Sequence, residues 1–393
     1  MKKRQSIAIY SGVSQSTTFI ERLIKGLVKA NTNVYVFGSH IEKPTHHKNI
    51  TYITYGQKWH KLVVLIKYSI LLFIFKLKEK KRLDAIIEAS GKGSYLLRLK
   101  YYPVLYHRPD IFHIQWAKSL EDWIWVEGFG MKVVLSLRGA HINYSPIIDK
   151  QLATLYKLHF PKISAFHAVS KAIAKEATKY GADADKIKVI KSGLNFDDFS
   201  FELKLYNSET PLEIISVGRD HWKKNYKLAL DALFELKQLE KAFHYTIIGV
   251  KNNEALLHQR SQLRLEENVS FIDSLAFSEV QEAIKKADVM LLPSVEEGIA
   301  NVVLEAMALG TLVVSTTCGG MAEVVFPNET GFLVPNRNVV TMYKTLIEVS
   351  ELSIEDYQRI TTQAKAFVEN YHNENQMVTE MQSFYKTLKP QIL

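Results

Sequence analysis

The sequence predicts an α/β chain built as two Rossmann-like domains with parallel sheets. Its 393 residues exceed what one hydrophobic core organises. Short apolar runs alternate with helical patterns, and this alternation starts twice. Between the two starts, from Phe199 to Pro211, periodicity fades into Tyr206-Asn-Ser-Glu-Thr-Pro211, which reads as a linker. With 47% hydrophobic and 23% charged residues the chain is globular and not disordered. No short-period repeat is present.

In the first half, Ile7-Ala-Ile-Tyr10 is a strand, followed by the loop Ser11 to Thr18 and a helical pattern through Phe19, Ile20, Leu23, Ile24 and Leu27. Val34 to Phe37, Asp110 to Trp116, Lys132 to Leu137 and Ala165 to Ser170 are further strands, each running into polar or glycine residues. Such strand ends are where parallel sheets bind ligands. The start Met1-Lys-Lys-Arg-Gln has the charge of an export signal, but its apolar piece stops at Ser11-Gly12, which is too short, so a cytoplasmic protein is expected. The single cysteine, Cys318, excludes an intramolecular disulfide framework and suits a reducing compartment.

Fifty basic against 41 acidic residues give a net charge of +9. Part of the excess lies in Lys58 to Arg82, where Trp59 and an apolar run from Leu62 to Phe75 precede Lys76, Lys78, Lys80, Lys81 and Arg82. The segment is too short and too charged to span a bilayer. It reads either as an interfacial segment on an anionic membrane surface or as a core helix with a basic end. Zinc-finger spacing, an RNA-recognition motif and arginine tracts are absent, so nucleic acid is not an expected partner.

The second half restarts with Leu212 to Val217 and continues through Tyr245 to Gly249 and Val269 to Ile272. Asp288 to Pro293 and Thr311 to Thr316 bracket a loop and a helix ended by Gly310. Within this unit Glu305 lies in the apolar run Val302 to Leu309, where an acid has no local reason to be. Gly298 lets the backbone approach a ligand, and the N–H groups around Ala300, Asn301 and Val302 can hold an anion. A phosphate with a diol beside it, as in a nucleotide, fits this layout. The alternative is that Glu296 and Glu297 are solvated loop acids and Glu305 pairs with a basic residue elsewhere.

A second constellation is Gly218-Arg219-Asp-His-Trp-Lys-Lys224-Asn225, a strand end, a basic loop and a helix start. Its cations and the positive helix end suit a diphosphate. Lys224 is the expected contact and Lys223 is expected to be solvated.

The stretch Glu297-Gly-Ile-Ala-Asn301…Glu305-Ala-Met-Ala-Leu-Gly310 resembles the signature of retaining glycosyltransferases of family 4, with Ile299 where an aromatic residue is usual. Arg219 and Lys224 match that family's diphosphate-binding arginine and lysine, with Asn225 in place of its glycine. The resemblance implies the GT-B fold, two Rossmann-like domains facing each other across a cleft, with a last helix crossing back to the first domain. On this basis the expected divisions are 1–202, 203–375 and 376–393. It further implies Glu297, Arg219 and Lys224 as catalytic and Glu305, Gly298, Ile299, Ala300, Asn301, Val302, Gly218 and Gly12 as donor-binding. Ser11 to Ile20 resembles the family's N-terminal loop, and Arg138 and His141 stand where relatives carry His-Gly-x-Asp, so Ser16, Thr17, Arg138 and His141 are acceptor-side candidates. Gly319-Gly320-Met-Ala-Glu323 resembles the family's turn near the nucleotide. His113 and His167 read as satisfied core histidines.

The expected activity is transfer of a sugar from a nucleoside diphosphate sugar to a lipid-linked or growing polysaccharide acceptor, with retention. No Asp-x-Asp ends a strand and no cluster has metal-ligand spacing, so neither a metal nor another cofactor is expected. Two alternatives are a sugar-nucleotide epimerase of the same fold and a catalytically silent membrane-associated module.

Overall fold

A computed structural model describes residues 5–12, 17–38, 47–54 and 58–388. The chain divides into two compact units, the first comprising Met1–Val169, Ala174–Ile190 and Glu374–Leu393, the second Ser170–Ile173 and Lys191–Asn373. The division after Ile190 precedes the 202/203 boundary because the linker-like stretch is laid into the second unit's core. Phe199 joins an apolar cluster there. Tyr206 stacks on Tyr357 with ring centroids 4.5 Å apart and donates to the Val349 carbonyl at 2.9 Å.

In the first unit seven parallel strands form one sheet. They are β1 Ser6–Tyr10, β2 Asn33–Gly38, β3 Ile50–Thr54, β4 Ile111–Ile114, β5 Lys132–Leu137, β6 Ala165–Ala168 and β7 Ile187–Val189, in the order β3-β2-β1-β4-β5-β6-β7. The central strands are continuous apolar runs because helices cover both faces of a parallel sheet. β3 and β7 are the sheet edges, are partly exposed, and lack that signal.

The C-terminal helix Glu374–Thr387 belongs to this unit and returns onto it. Its Met377, Val378, Met381, Phe384 and Tyr385 pack with Ile7 and Ile9 of β1 and with the helix Thr18–Lys29. Gly26 permits the approach: a Cβ there would lie 2.2 Å from Val378 Cγ2. Tyr385 also enters a buried relay. Its hydroxyl lies 2.6 Å from His113 Nδ1, His113 Nε2 lies 2.8 Å from Ser136 Oγ, Ser136 Oγ lies 2.9 Å from His167 Nδ1, and His167 Nε2 lies 3.0 Å from the Ile190 carbonyl. The carbonyl can only accept, so His167 Nε2 carries its proton, and every hydrogen bond upstream is then assigned, with Tyr385 donating to His113 and both imidazoles neutral. His113 and His167 are core histidines, as expected.

Lys58 to Arg82 is two helices, Lys58–Phe75 and Leu77–Ala89, broken at Lys76. The core-helix reading holds for one face of the first helix. Val64, Tyr68 and Leu72 are buried at four-residue spacing, and Tyr68 meets His107 of the helix Ser94–His107 at 2.9 Å. On other faces Trp59, Val63, Ile66, Ile70, Phe73, Ile74 and Phe75 are exposed. The five-residue basic cluster is not a free one. Lys76 donates to the carbonyls of Leu105 and Tyr106 at 3.1 and 3.0 Å, and Lys80 pairs with Asp84 at 2.7 Å. Arg82 lies 4.8 Å over the Phe129 ring, while Lys78 and Lys81 are exposed. Among the described residues no helix is long and apolar enough to cross a membrane.

The second unit holds six parallel strands: β8 Leu212–Val217, β9 Phe243–Ile248, β10 Val269–Ile272, β11 Val289–Leu292, β12 Leu312–Thr316 and β13 Phe332–Val334, ordered β10-β9-β8-β11-β12-β13. Ile214, Tyr245, Leu291, Leu312 and Val314 fill one face and Ile215, Ile248, Met290, Leu292 and Val313 the other. The strand order turns back between β8 and β11, and the loops leaving those two strands border the crevice where sheets of this kind bind ligands.

Candidate active site

At that switch point Glu297 sits in the loop between β11 and the helix Asn301–Leu309, only 7% exposed. Two lysines hold it. Lys224 Nζ is 2.9 Å from Oε1 and Lys223 Nζ 3.2 Å from Oε2, and Ser294 Oγ donates to Oε1 at 3.2 Å. Burial pushes the Glu297 carboxyl up, but Lys224 and Lys223 outweigh it and hold the group below the usual carboxylate range. The lysines come from the short turn Trp222–Lys224 after β8, which the Val295 N–H pins by donating to the Lys223 carbonyl at 2.8 Å. Tyr226, at the start of the next helix, donates to the Gly218 carbonyl at 3.0 Å. A Cβ at Gly218 would lie 2.8 Å from Lys224 Cε and 3.2 Å from its Nζ, so a side chain there would displace that lysine.

The expected surroundings of these residues change. Glu305, expected as the buried acid, is half-buried one turn into its helix, and Glu297, for which a solvated position was the alternative, is the buried one. A position inside an apolar run does not bury a residue when a helix shows one flank to the strand-end crevice. Lys223, expected to be solvated, shares Glu297 with Lys224. Arg219 is exposed beside them, and among the described residues no ion pair joins it to Glu297.

Gly319 explains why Glu297 is held so firmly from beneath. At φ 53° its ideal Cβ would stand 1.7 Å from the Glu297 carbonyl oxygen, so only glycine fits both the backbone and the space. The Gly320 N–H donates to the Gly298 carbonyl at 2.8 Å. The Glu323 carboxylate accepts from the backbone N–H groups of Lys171 and Ala172 at 3.0 and 2.9 Å. Ile299 and Val302 pack partly buried against the apolar cluster, Asn301 starts the helix, and the Ala300 N–H faces Met321 Sδ at 3.5 Å. Gly310 ends the helix at φ 92° as expected.

In the first unit the loops after β1, β4 and β5 leave the same edge of the sheet, at its own switch point. Gly12 follows β1 at φ 95° with open space around it, and Thr17 is exposed before the helix Thr18–Lys29. Ser16 lies outside the described residues. Arg138 donates from Nη2 to Gln115 Oε1 at 3.0 Å, and its guanidinium lies 4.2 Å over the Phe19 ring. His141 lies against Trp116 with ring centroids 5.4 Å apart. Gln115 and Trp116 carried no motif in the sequence, and their place at the end of β4 was the available signal, whereas Phe19 lies in the stretch that resembles the family's N-terminal loop. Among the described residues no group of three or more histidines, cysteines or acids could hold a metal.

A parallel sheet whose switch point carries one buried acid between two lysines places its charged groups where α/β sheets bind ligands. Comparison with known proteins gives the family. The model for glycosyl transferases group 1 matches residues 199–367 and that for glycosyltransferase family 4 matches residues 16–198, and the chain belongs to this family. It is 33% identical over 264 residues to WcaL of Escherichia coli strain K12, a glycosyltransferase assigned to colanic acid biosynthesis, covering 65% of this chain and 64% of that one. It is 29% identical to the amylovoran biosynthesis glycosyltransferase AmsK of Erwinia amylovora, covering 62% of this chain and 61% of that one. These matches span somewhat under two thirds of the relatives' own lengths. HepE of Anabaena, solved in complex with UDP and glucose, has the same fold, with a TM-score of 0.72 at 16% identity over 98% of this chain and all of that one.

Proposed function

We propose that the chain transfers a sugar from a nucleoside diphosphate sugar to a lipid-linked or growing polysaccharide acceptor, with retention at the anomeric carbon and without a divalent metal. The observation that carries this reading is Glu297 between Lys223 and Lys224 at the switch point of the second sheet. The three groups leave one positive charge in excess. A diphosphate replaces Glu297 as the lysines' partner, and negative charge on it grows as the glycosidic bond breaks, so cations fixed in advance favour the transition state over the ground state. Glu297, released from one or both lysines, accepts hydrogen bonds from donor-sugar hydroxyls. Glu305, half-exposed one turn farther on, suits the ribose diol. The leaving phosphate takes the proton of the acceptor hydroxyl on the same face of the sugar, so no protein base is needed.

The relatives assigned to colanic acid and amylovoran biosynthesis support a polysaccharide acceptor. The exposed apolar side of the helix Lys58–Phe75 supports work at an anionic membrane surface, where a lipid-linked acceptor resides. A melting-temperature screen of UDP, GDP and ADP and their sugars tests the donor role, because a ligand of the native state alone stabilises it by mass action. One nucleotide should stand out. NMR of the product then reads the anomeric configuration, and inversion would end the retaining mechanism. Turnover that stops with EDTA and returns with magnesium would end the metal-free one.

A further inference from the structure

Three buried polar atoms at the C-terminal edge of the first sheet have no hydrogen-bond partner among the described residues: Gln115 Nε2, Arg138 Nε and His141 Nδ1. They follow the adjacent strands β4 and β5, and Gln115 and Arg138 are joined by the 3.0 Å hydrogen bond. Buried polar atoms are nearly always paired, so three orphans in one place call for a missing partner. The charge makes the same demand. No carboxylate among the described residues pairs with Arg138. Burial without an acid brings its guanidinium down to about 9, which leaves it charged at neutral pH. A desolvated cation is ordinarily paired, and no acid among the described residues pairs this one. Around the orphans stand ring faces. Phe19 and Trp116 are half-buried with centroids 5.9 Å apart, and Trp116 adjoins His141. Apolar rings beside a few convergent polar groups are the usual make-up of a small-molecule site.

We propose that this cluster binds an acidic sugar, with Arg138 taking a carboxylate or phosphate carried by the sugar and Gln115 Nε2 and His141 Nδ1 taking its hydroxyls. This rests on the glycosyltransferase reading and deepens it by naming the substrate class. The ring faces of Trp116 and Phe19 cover the apolar side of the pyranose. A purely structural Arg138 would leave Nε unserved at a position where a methionine packs on Phe19 equally well and avoids the desolvated charge.

The test measures the melting temperature of the full chain with methyl glucuronide, glucose 6-phosphate and methyl glucoside, and separately with UDP, UDP-glucose and UDP-glucuronate. A charged sugar, free or as the donor's sugar, should raise the melting temperature at concentrations where its neutral counterpart has no added effect. The arm that responds tells an acceptor acid from a donor acid, and a carboxylate from a phosphate. Arg138→Met should weaken that response about tenfold or more, the loss of one charge-assisted contact, while the response to UDP stays. With no acid partner to abandon, this variant should melt no lower than the parent. His141→Ala, which leaves the guanidinium in place, is the second variant and should weaken the same response severalfold. Equal responses to charged and neutral sugars, no response to any charged sugar, or a charged-sugar response surviving both variants overturns the proposal. A parent that ignores every nucleoside diphosphate overturns the glycosyltransferase reading instead.

Discussion

Glu297 shows what a single residue can and cannot disclose. Its spacing from Glu305 was legible in the sequence, and so was the basic loop that meets it. Which of the two acids is buried was not, because burial depends on the Gly319-Gly320 turn packing beneath the loop, a contact between segments distant in the chain. The second lysine was hidden for the same reason: the pin from Val295 to Lys223 joins two loops from different strands. Glu297→Gln should therefore separate binding from transfer. Both lysines lose their internal competitor, so the nucleoside diphosphate should bind at least as tightly by calorimetry. Transfer should fall about 10²–10³-fold, the scale of losing one positioned electrostatic group. Weaker nucleotide binding with unchanged turnover would place Glu297 on the nucleotide and not on the sugar. Lys224→Ala should do the opposite to the nucleotide, weakening the diphosphate through loss of a charge-assisted contact worth about 1.5–3 kcal/mol. At Tyr385 the relay gives a stability prediction. Tyr385→Phe leaves His113 Nδ1 buried without a donor and should cost about 1–3 kcal/mol in urea unfolding, whereas a loss near zero would mean the imidazole finds another partner.

At the level of elements, strands were readable where they are apolar runs bounded by polar residues, and β5, β8 and the edge strand β10 fall where the sequence put them. The edges β3, β7 and β13 were not: β7 and β13 are only three residues long, and β3 and β7 are largely uncovered. The helix Lys58–Phe75 was ambiguous for a different reason. It is apolar on the face that packs and on faces that do not, so no helical period distinguishes inside from outside. It carries lysines at 58, 61 and 67 and no acid, and Lys78 and Lys81 are exposed just beyond. A second copy docking there would bring like charges together, whereas an anionic bilayer takes both the rings and the cations. Since Lys76 and Lys80 are engaged inside the unit, apolar insertion should dominate over charge. In sedimentation with vesicles, raising salt should weaken binding to phosphatidylglycerol-containing vesicles only in part. Changing Trp59, Ile66, Phe73 and Ile74 to serine should abolish it with nucleotide binding intact. Binding that disappears in salt and ignores the serine changes would return the role to the lysines.

Over the whole molecule, acid should act on the two units unequally. Burial holds His113 well below its ordinary value, His167 down to about 3, and the half-buried His107 and His141 down to about 4, all in the first unit. In the second unit burial holds His372 down to about 4. A histidine whose folded pKa is depressed is neutral in both states above pH 6.5, where its contribution to stability is complete. Below that value the unfolded chain binds a proton that the folded one refuses, and stability falls as pH falls until the folded pKa is reached. The slope is about 1.4 kcal/mol per pH unit for each fully buried imidazole, so His113 and His167 each remove up to about 2 kcal/mol between pH 7.5 and 5, with His107 and His141 removing less. Glu127 opposes them, since burial raises its carboxyl and favours the protonated folded form, but it is one acid against four imidazoles. Calorimetry across this range should show the first unit's transition moving down farther than the second's. A nucleoside diphosphate, if held by Lys223 and Lys224 as proposed, should raise the second unit's transition directly and so identify which transition is which. If the nucleotide-sensitive transition is the one that falls faster with acid, the neutral histidine relay is not what sets the first unit's pH dependence.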